Sequence, residues 1–311
     1  MSQLAPSLLS RDAFERAAEF LHKARPLERA LFTFHFQKTP SSDVLDELAK
    51  FQNPDGGFHG LEADIGFSYS SVLSTCHALH ILNEIGTTAE HSLVQRTLQY
   101  LLATYDQAHG VWPIIPPHDN SQPHAPWWHY SKTSAENWTG LADNPRPDVL
   151  ACLLNFPSAN TSELIAAVIQ ATLQRIEMAA DKMEMHGLLC YLRLDRSAGL
   201  PPQLKRKLEQ VLPDWIAQNL ARLPEKWTGY GLRPLDVAPS SNAHWRSLIP
   251  REVEAHLDFL IQTQMSDGSW HPHWNWGGAF PEAWEAGKLK WQAVLTLANL
   301  RTLRSYGRIA S

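Results

Sequence analysis

Two segments far apart in the chain carry one turn pattern, Gln-x-x-Asp-Gly-small-aromatic. The first is Gln52-Asn53-Pro54-Asp55-Gly56-Gly57-Phe58, the second Gln264-Met265-Ser266-Asp267-Gly268-Ser269-Trp270. Each lies between apolar stretches of helical period. A repeat that ends one helix and starts the next constrains architecture more than any single residue, because each unit needs a neighbour to bury its apolar face. Every position has a constructional reason. Gly56, Gly57 and Gly268 permit tight backbone turns, Asp55 and Asp267 can cap neighbouring helix amides, and Phe58 and Trp270 cover helix ends. Gln52 and Gln264 can tie adjacent turns together through their side-chain amides.

Between these corners apolar positions recur at three and four residues, and no stretch alternates long enough for a convincing sheet. The spacing predicts helices at about 11–24, 27–37, 41–52, 67–85, 89–104, 147–155, 161–179, 182–195, 201–222, 250–264 and 282–306. That is an all-α chain of five or six antiparallel pairs, read as one domain over 1–311. Thr161 or Ser162 with Glu163, Gly86 after Asn83-Glu84-Ile85, and Pro201-Pro202 after Gly199 supply helix starts and stops. Weaker echoes of the corner occur at 105–112 and 225–232, each placing Gly and Trp between helices. The stretch 113–147 breaks the pattern with seven prolines, the histidines His118, His124 and His129, and Trp127, Trp128 and Trp138. Its tryptophans have no use in a solvated linker, so it is expected to be an ordered loop packed across one end of the helices.

The chain has 311 residues, 44% of them hydrophobic, enough to bury a large core. Its 27 basic and 32 acidic residues are mixed along the sequence and leave a net charge of −5, so no basic stripe exists for nucleic acid. No signal-peptide pattern and no apolar run of membrane-spanning length occur, which points to a cytoplasmic protein without a transmembrane segment. Cys76, Cys152 and Cys190 lie apart within apolar helical stretches and read as buried free thiols.

The corners resemble the QW repeats of squalene and oxidosqualene cyclases and the related turns of protein prenyltransferase β subunits. The similarity is strongest at 52–85 and 257–306. Through Asn53 to Asp64, Pro123-His124-Ala125-Pro126-Trp127-Trp128 and Trp284 to Ile309, the whole chain also resembles bacterial prenyltransferase/squalene-oxidase-repeat proteins of undefined activity. The resemblance implies a single α/α toroid, with inner and outer helices alternating around a central cavity, and an isoprenoid as small hydrophobic substrate. It does not carry over the families' chemistry. No Asp-x-Asp-Asp string is present, no cysteine follows an aspartate as in the zinc site of the prenyltransferases, and no basic cluster marks a diphosphate site.

Glu62 and Asp64, in His59-Gly60-Leu61-Glu62-Ala63-Asp64-Ile65-Gly66, are the candidate catalytic acids at the start of a helix. Two carboxyls this close disfavour joint ionisation, which leaves a proton available near neutral pH. The plainer reading is that both bind helix N-terminal amides. Asp143 and Asp148 form a weaker pair, Asp148 reading as an ordinary first-turn acid. His77 and His80 share a helix face at metal-compatible spacing, with His271 or His273 as a possible third ligand; satisfied polar groups are the plainer account, and neither metal nor other cofactor is expected. Tyr69, His124, Trp127, Trp128, Trp274 and Trp276 are the candidate substrate-binding residues, since aromatic rings stabilise cations or stack on apolar chains and sugars.

Two enzyme readings follow. One is a terpenoid-cyclase-like protein that starts an isoprenoid cyclisation by protonation from Asp64 or Glu62. The other is a carbohydrate-active α/α barrel with tryptophan platforms and paired carboxylates. A noncatalytic binding scaffold is the third possibility.

Overall fold

The computed structural model describes residues 7–117, 120–179 and 182–310. About 60% of it is helix, and no strand occurs among the described residues. The α-helices in chain order are α1 (Arg11–His22), α2 (Pro26–Gln37), α3 (Ser41–Ala49), α4 (Val72–Glu84), α5 (Ser92–Ala103), α6 (Lys132–Ala135), α7 (Trp138–Asp143), α8 (Arg146–Asn155), α9 (Ser162–Ala179), α10 (Met185–Asp195), α11 (Pro202–Asn219), α12 (Pro234–Val237), α13 (Pro250–Gln262) and α14 (Pro281–Ser305). The chain divides into two compact units, 48–219 on one side and 1–47 with 220–311 on the other. No helix among the described residues is long and apolar enough to cross a membrane.

In the 48–219 unit α8 is central. It packs against α4, α7, α9 and α10, and α10 and α9 in turn pack on α11. Accordingly α8 is buried along nearly its whole length, from Arg146 to Leu153. Helix α4 starts where Ser71, in extended conformation, accepts the Ser74 N–H at 3.1 Å. Apolar side chains therefore occupy most of its surface, and Cys76, Ala78, Leu79 and Leu82 are all buried. In the other unit α1 and α2 pack against α14, and α12 packs against α13. Ser10 caps α1 by accepting the Ala13 N–H, and Ala13, Ala17 and Leu21, four residues apart, turn one stripe inward.

The two corners are built alike, bond for bond. Gln52 Nε2 donates to Gly56 O at 3.0 Å, and Gln264 Nε2 to Gly268 O at 2.9 Å. Beyond its own turn Gln52 reaches Leu93 O and Thr97 Oγ1, while Gln264 reaches Ala13 O, so each glutamine ties its corner to another helix. Gly56 and Gly268 have φ of +88° and +87°, and a Cβ on Gly268 would fall 2.4 Å from backbone atoms of Arg16 and Ala17. The aspartates act differently from the helix-capping expectation. Asp55 and Asp267 accept the N–H two residues on, at Gly57 and Ser269, and thereby close the turn itself. The aromatic residue then donates its backbone N–H to a threonine hydroxyl on the next helix, Phe58 to Thr75 and Trp270 to Thr296.

Tryptophan has a second structural use. The indole N–H of Trp112 donates to Leu101 O and that of Trp270 to Leu260 O, in the last turns of α5 and α13. Trp227 does the same to Ala221 O just past α11. Carbonyls at a helix C-terminus lack intrahelical partners, and a buried indole satisfies one while covering the helix end with apolar surface.

Candidate functional site

The helix expected from 67 begins only at Val72, so Glu62 and Asp64 stand upstream of it in a buried turn of their own. Ile65 N–H donates to Glu62 O at 3.2 Å, and Asp64 N–H donates to Glu62 Oε1 at 3.3 Å. The next residues pair with the Pro-rich stretch: Gly66 N–H donates to Pro123 O and Ala125 N–H to Asp64 O, at 2.8 and 2.9 Å, with Ile65 facing His124. Glycine is needed at 66, because a Cβ there would lie 2.7 Å from Pro123 O. The stretch 113–147 contains α6, α7 and a 3₁₀ turn at Pro126–Trp128 among its described residues. His118 lies outside the described residues.

Both acids are buried. Glu62 is 7% exposed and Asp64 4%. Neither serves the α4 N-terminus, which Ser71 caps. Burial, reinforced by the Asp64 charge, pushes the Glu62 carboxyl up to about 8. Its nearest basic neighbour is His77, with Nδ1 3.9 Å from Glu62 Oε2, and burial pushes that imidazole down to about 4. At neutral pH the pair is therefore a protonated acid beside a neutral imidazole.

The proposed ligand residues divide between the two units. Near the acid turn, His124 is buried, and its Nδ1 donates to Gln122 O. Tyr69 is half-buried and stacked on Phe67 with centroids 4.1 Å apart. Trp127 is 50% exposed and Trp128 half-buried, its indole nitrogen enclosed without a hydrogen-bond acceptor among the described residues. Trp274 and Trp276 belong to the other unit, where they pack on α14: Trp274 against Trp291 at 5.0 Å and Trp276 against Trp284 at 5.6 Å. Trp276 is only 2% exposed, as expected of a core ring.

The histidines part company too. Although one turn apart, His77 faces Glu62 whereas His80 Nε2 lies 2.7 Å from Asp148 Oδ1. His273 belongs to the other unit, where it accepts from Arg233 at 3.2 Å. Asp148 does stand in the first turn of α8, as expected, but it is not an ordinary solvated acid. It is 3% exposed, and its second oxygen receives Arg193 Nη1 from α10 at 3.2 Å. These cations hold its carboxyl well below the usual range despite burial. Asp143 forms an ion pair with Arg175 at 2.5 Å and accepts from Tyr191, a tie between α7, α9 and α10.

Cys152, one turn beyond Asp148 on α8, completes a group that sequence reading did not assemble. His80 Nε2, a carboxylate oxygen of Asp148 and Cys152 Sγ all lie within 4.8 Å of one another, with donor types that suit a transition metal. Its signal was present as the spacings Asp148-x-x-x-Cys152 and Cys76-x-x-x-His80, each placing two donors on one helix face.

Comparison with protein-family models and with curated proteins found no match. The functional reading therefore rests on the geometry and chemistry of the two side-chain groups, the Glu62 turn and the Asp148 cluster.

Proposed function

We propose that the protein is a terpenoid-cyclase-like enzyme that protonates a small hydrophobic substrate of the isoprenoid class, with Glu62 as the proton donor. One observation carries this reading: a carboxyl 7% exposed, held in a turn beside a second buried carboxyl, whose affinity for its proton is raised to about 8. A group of that kind arrives at neutral pH already protonated, which an ordinary glutamate does not. Asp64 serves as the neighbouring carboxyl that raises the Glu62 pKa, and His77, kept neutral, faces it without drawing the proton off. Tyr69, His124, Trp127 and Trp128 supply aromatic surface on the paired segments and can stabilise a developing carbocation by about 1–2 kcal/mol where desolvated.

The α/α toroid belongs to the same proposal, supported by the matching bonds of the two corners, as does a cytoplasmic setting, in which three buried thiols remain reduced. The test is product analysis after incubation with a panel of polyprenyl substrates. Wild type yields a cyclised product, with a rate that falls as pH rises past about 8 and Glu62 gives up its proton. Glu62→Gln yields none. Unchanged turnover in that variant removes the proposed acid, and no product from any panel member removes the activity.

A further inference from the structure

Helices α4 and α8 pack against each other, and each presents two metal-binding side chains one turn apart: Cys76 and His80 on α4, Asp148 and Cys152 on α8. Side chains four residues apart on a helix lie on one face, so two packed helices can bring such donors together. Three of the four meet. His80 Nε2 is 2.7 Å from Asp148 Oδ1 and 3.8 Å from Cys152 Sγ, all three donors lie within 4.8 Å of one another, and the Cys152 thiol also donates to the Cys76 backbone carbonyl at 3.9 Å. Cys76, Cys152 and Asp148 are all at most 3% exposed.

One nitrogen, His80 Nε2, faces both the carboxylate and the sulfur. A nucleophile–base–acid relay needs the two ring nitrogens to face different partners, which excludes that arrangement here. Convergence of several donors on one point is instead the geometry of ligation. We propose that His80, Asp148 and Cys152 form a three-residue binding site for a zinc-type divalent cation, with Arg193 orienting the carboxylate.

Zinc takes thiolate, imidazole and carboxylate ligands at about 2.0–2.3 Å in a tetrahedron, which sets ligand atoms about 3.3–3.8 Å apart. The His80–Cys152 distance already meets this. The His80–Asp148 distance opens by about 0.6 Å when the metal replaces the proton between them. Asp148 offers Oδ1 to the site while Oδ2 is held by Arg193, the kind of outer partner that orients a carboxylate ligand. The Cys152 thiolate and the Asp148 carboxylate together balance the charge of the divalent ion. Binding displaces the proton of the Cys152 thiol, so occupancy rises with pH. Cys190 stands outside the group, its thiol directed at Asn144 Oδ1 at 3.5 Å. This site is independent of the Glu62 reading, and neither fails with the other.

The experiment is a Co²⁺ titration of the reduced, chelator-stripped full chain, followed by absorption, with Zn²⁺ competition. One equivalent of Co²⁺ is expected to give sulfur-to-cobalt charge-transfer absorption with intense tetrahedral bands, and Zn²⁺ to abolish both. Cys152→Ser loses the charge-transfer absorption, Arg193→Gln binds about 10–100-fold more weakly, and Cys190→Ser matches wild type. Absence of charge-transfer absorption in the folded wild-type chain overturns the proposal. So does an unchanged spectrum in folded Cys152→Ser, or isolation of Cys76 and Cys152 as a disulfide-linked peptide before reduction.

Discussion

Replacing Glu62 by Gln should make the protein more stable, and the gain should depend on pH. Gln keeps the shape of the side chain, and its carbonyl oxygen can still accept the Asp64 N–H that Glu62 Oε1 accepts at 3.3 Å. What disappears is a titration. Folding raises the Glu62 pKa from 4.5 to about 8, so the native state holds a proton that the unfolded chain releases. A group whose pKa is raised on folding stabilises fully below its unfolded value, and that contribution is lost as pH climbs toward the folded value. At pH 7 the chain lies two and a half units above the unfolded pKa, and at about 1.36 kcal/mol per unit this costs the native state about 3 kcal/mol. Glu62→Gln escapes that loss. Urea unfolding from pH 4 to 9 is the assay: the two proteins should match near pH 4 and diverge steadily to about 3 kcal/mol at pH 7, with the difference levelling off above pH 8. A difference that is constant across the range, or a variant less stable than wild type at pH 7, refutes the argument that burial holds the proton on Glu62. Gain of stability with loss of activity is also the signature of a group retained for function rather than for folding.

Three further outcomes follow from the structure. Asp148→Asn in the presence of a chelator should lose about 3 kcal/mol by denaturant titration at pH 7, the low end for breaking a buried ion pair, because His80 and Arg193 are 31% and 40% exposed and can rehydrate. The depressed Asp148 pKa means that this difference persists down to about pH 4 and disappears only in stronger acid; a difference already lost at pH 6 contradicts it. Gly268→Ala should cost more than about 1 kcal/mol in thermal or urea unfolding, since φ is +87° and the new Cβ meets the Arg16–Ala17 backbone; a neutral result means the second corner is not held against α1. Gln52→Ala removes the donations to Gly56 O, Leu93 O and Thr97 Oγ1 and should cost about 2 kcal/mol with loss of amide-exchange protection at the Asp55–Phe58 turn, whereas unaltered exchange there removes the glutamine as the tie between corner and helix.

Much of the helical framework was legible from local pattern. Apolar spacing located the long helices within a few residues, and Gln-x-x-Asp-Gly-small-aromatic marked both corners because each of its positions answers a local demand: a left-handed φ, a turn amide, a helix-end carbonyl. The recipients of the longer bonds were not legible. That Thr75 and Thr296 accept the aromatic N–H, or that Gln264 reaches Ala13 across most of the sequence, depends on which helices pack together. The segment from 67 to 71 was misread as helix for a related reason, since Ser71 at its end pairs with Phe58 across the corner and itself caps the helix that starts at Val72.

Sequence alone settled that the chain is helical, where its repeated corners stand, and which acids are close enough to interact, because helix period, turn chemistry and neighbouring charge act over a few residues. Burial and partnership were decided in three dimensions. Glu62 became a proton-holding acid only when the fold buried its turn beside Asp64, and Asp148 became an ionised one only when His80 and Arg193 arrived from α4 and α10. Both are carboxyls between apolar neighbours in the sequence, and their opposite charge states follow from desolvation in one place and nearby cations in the other.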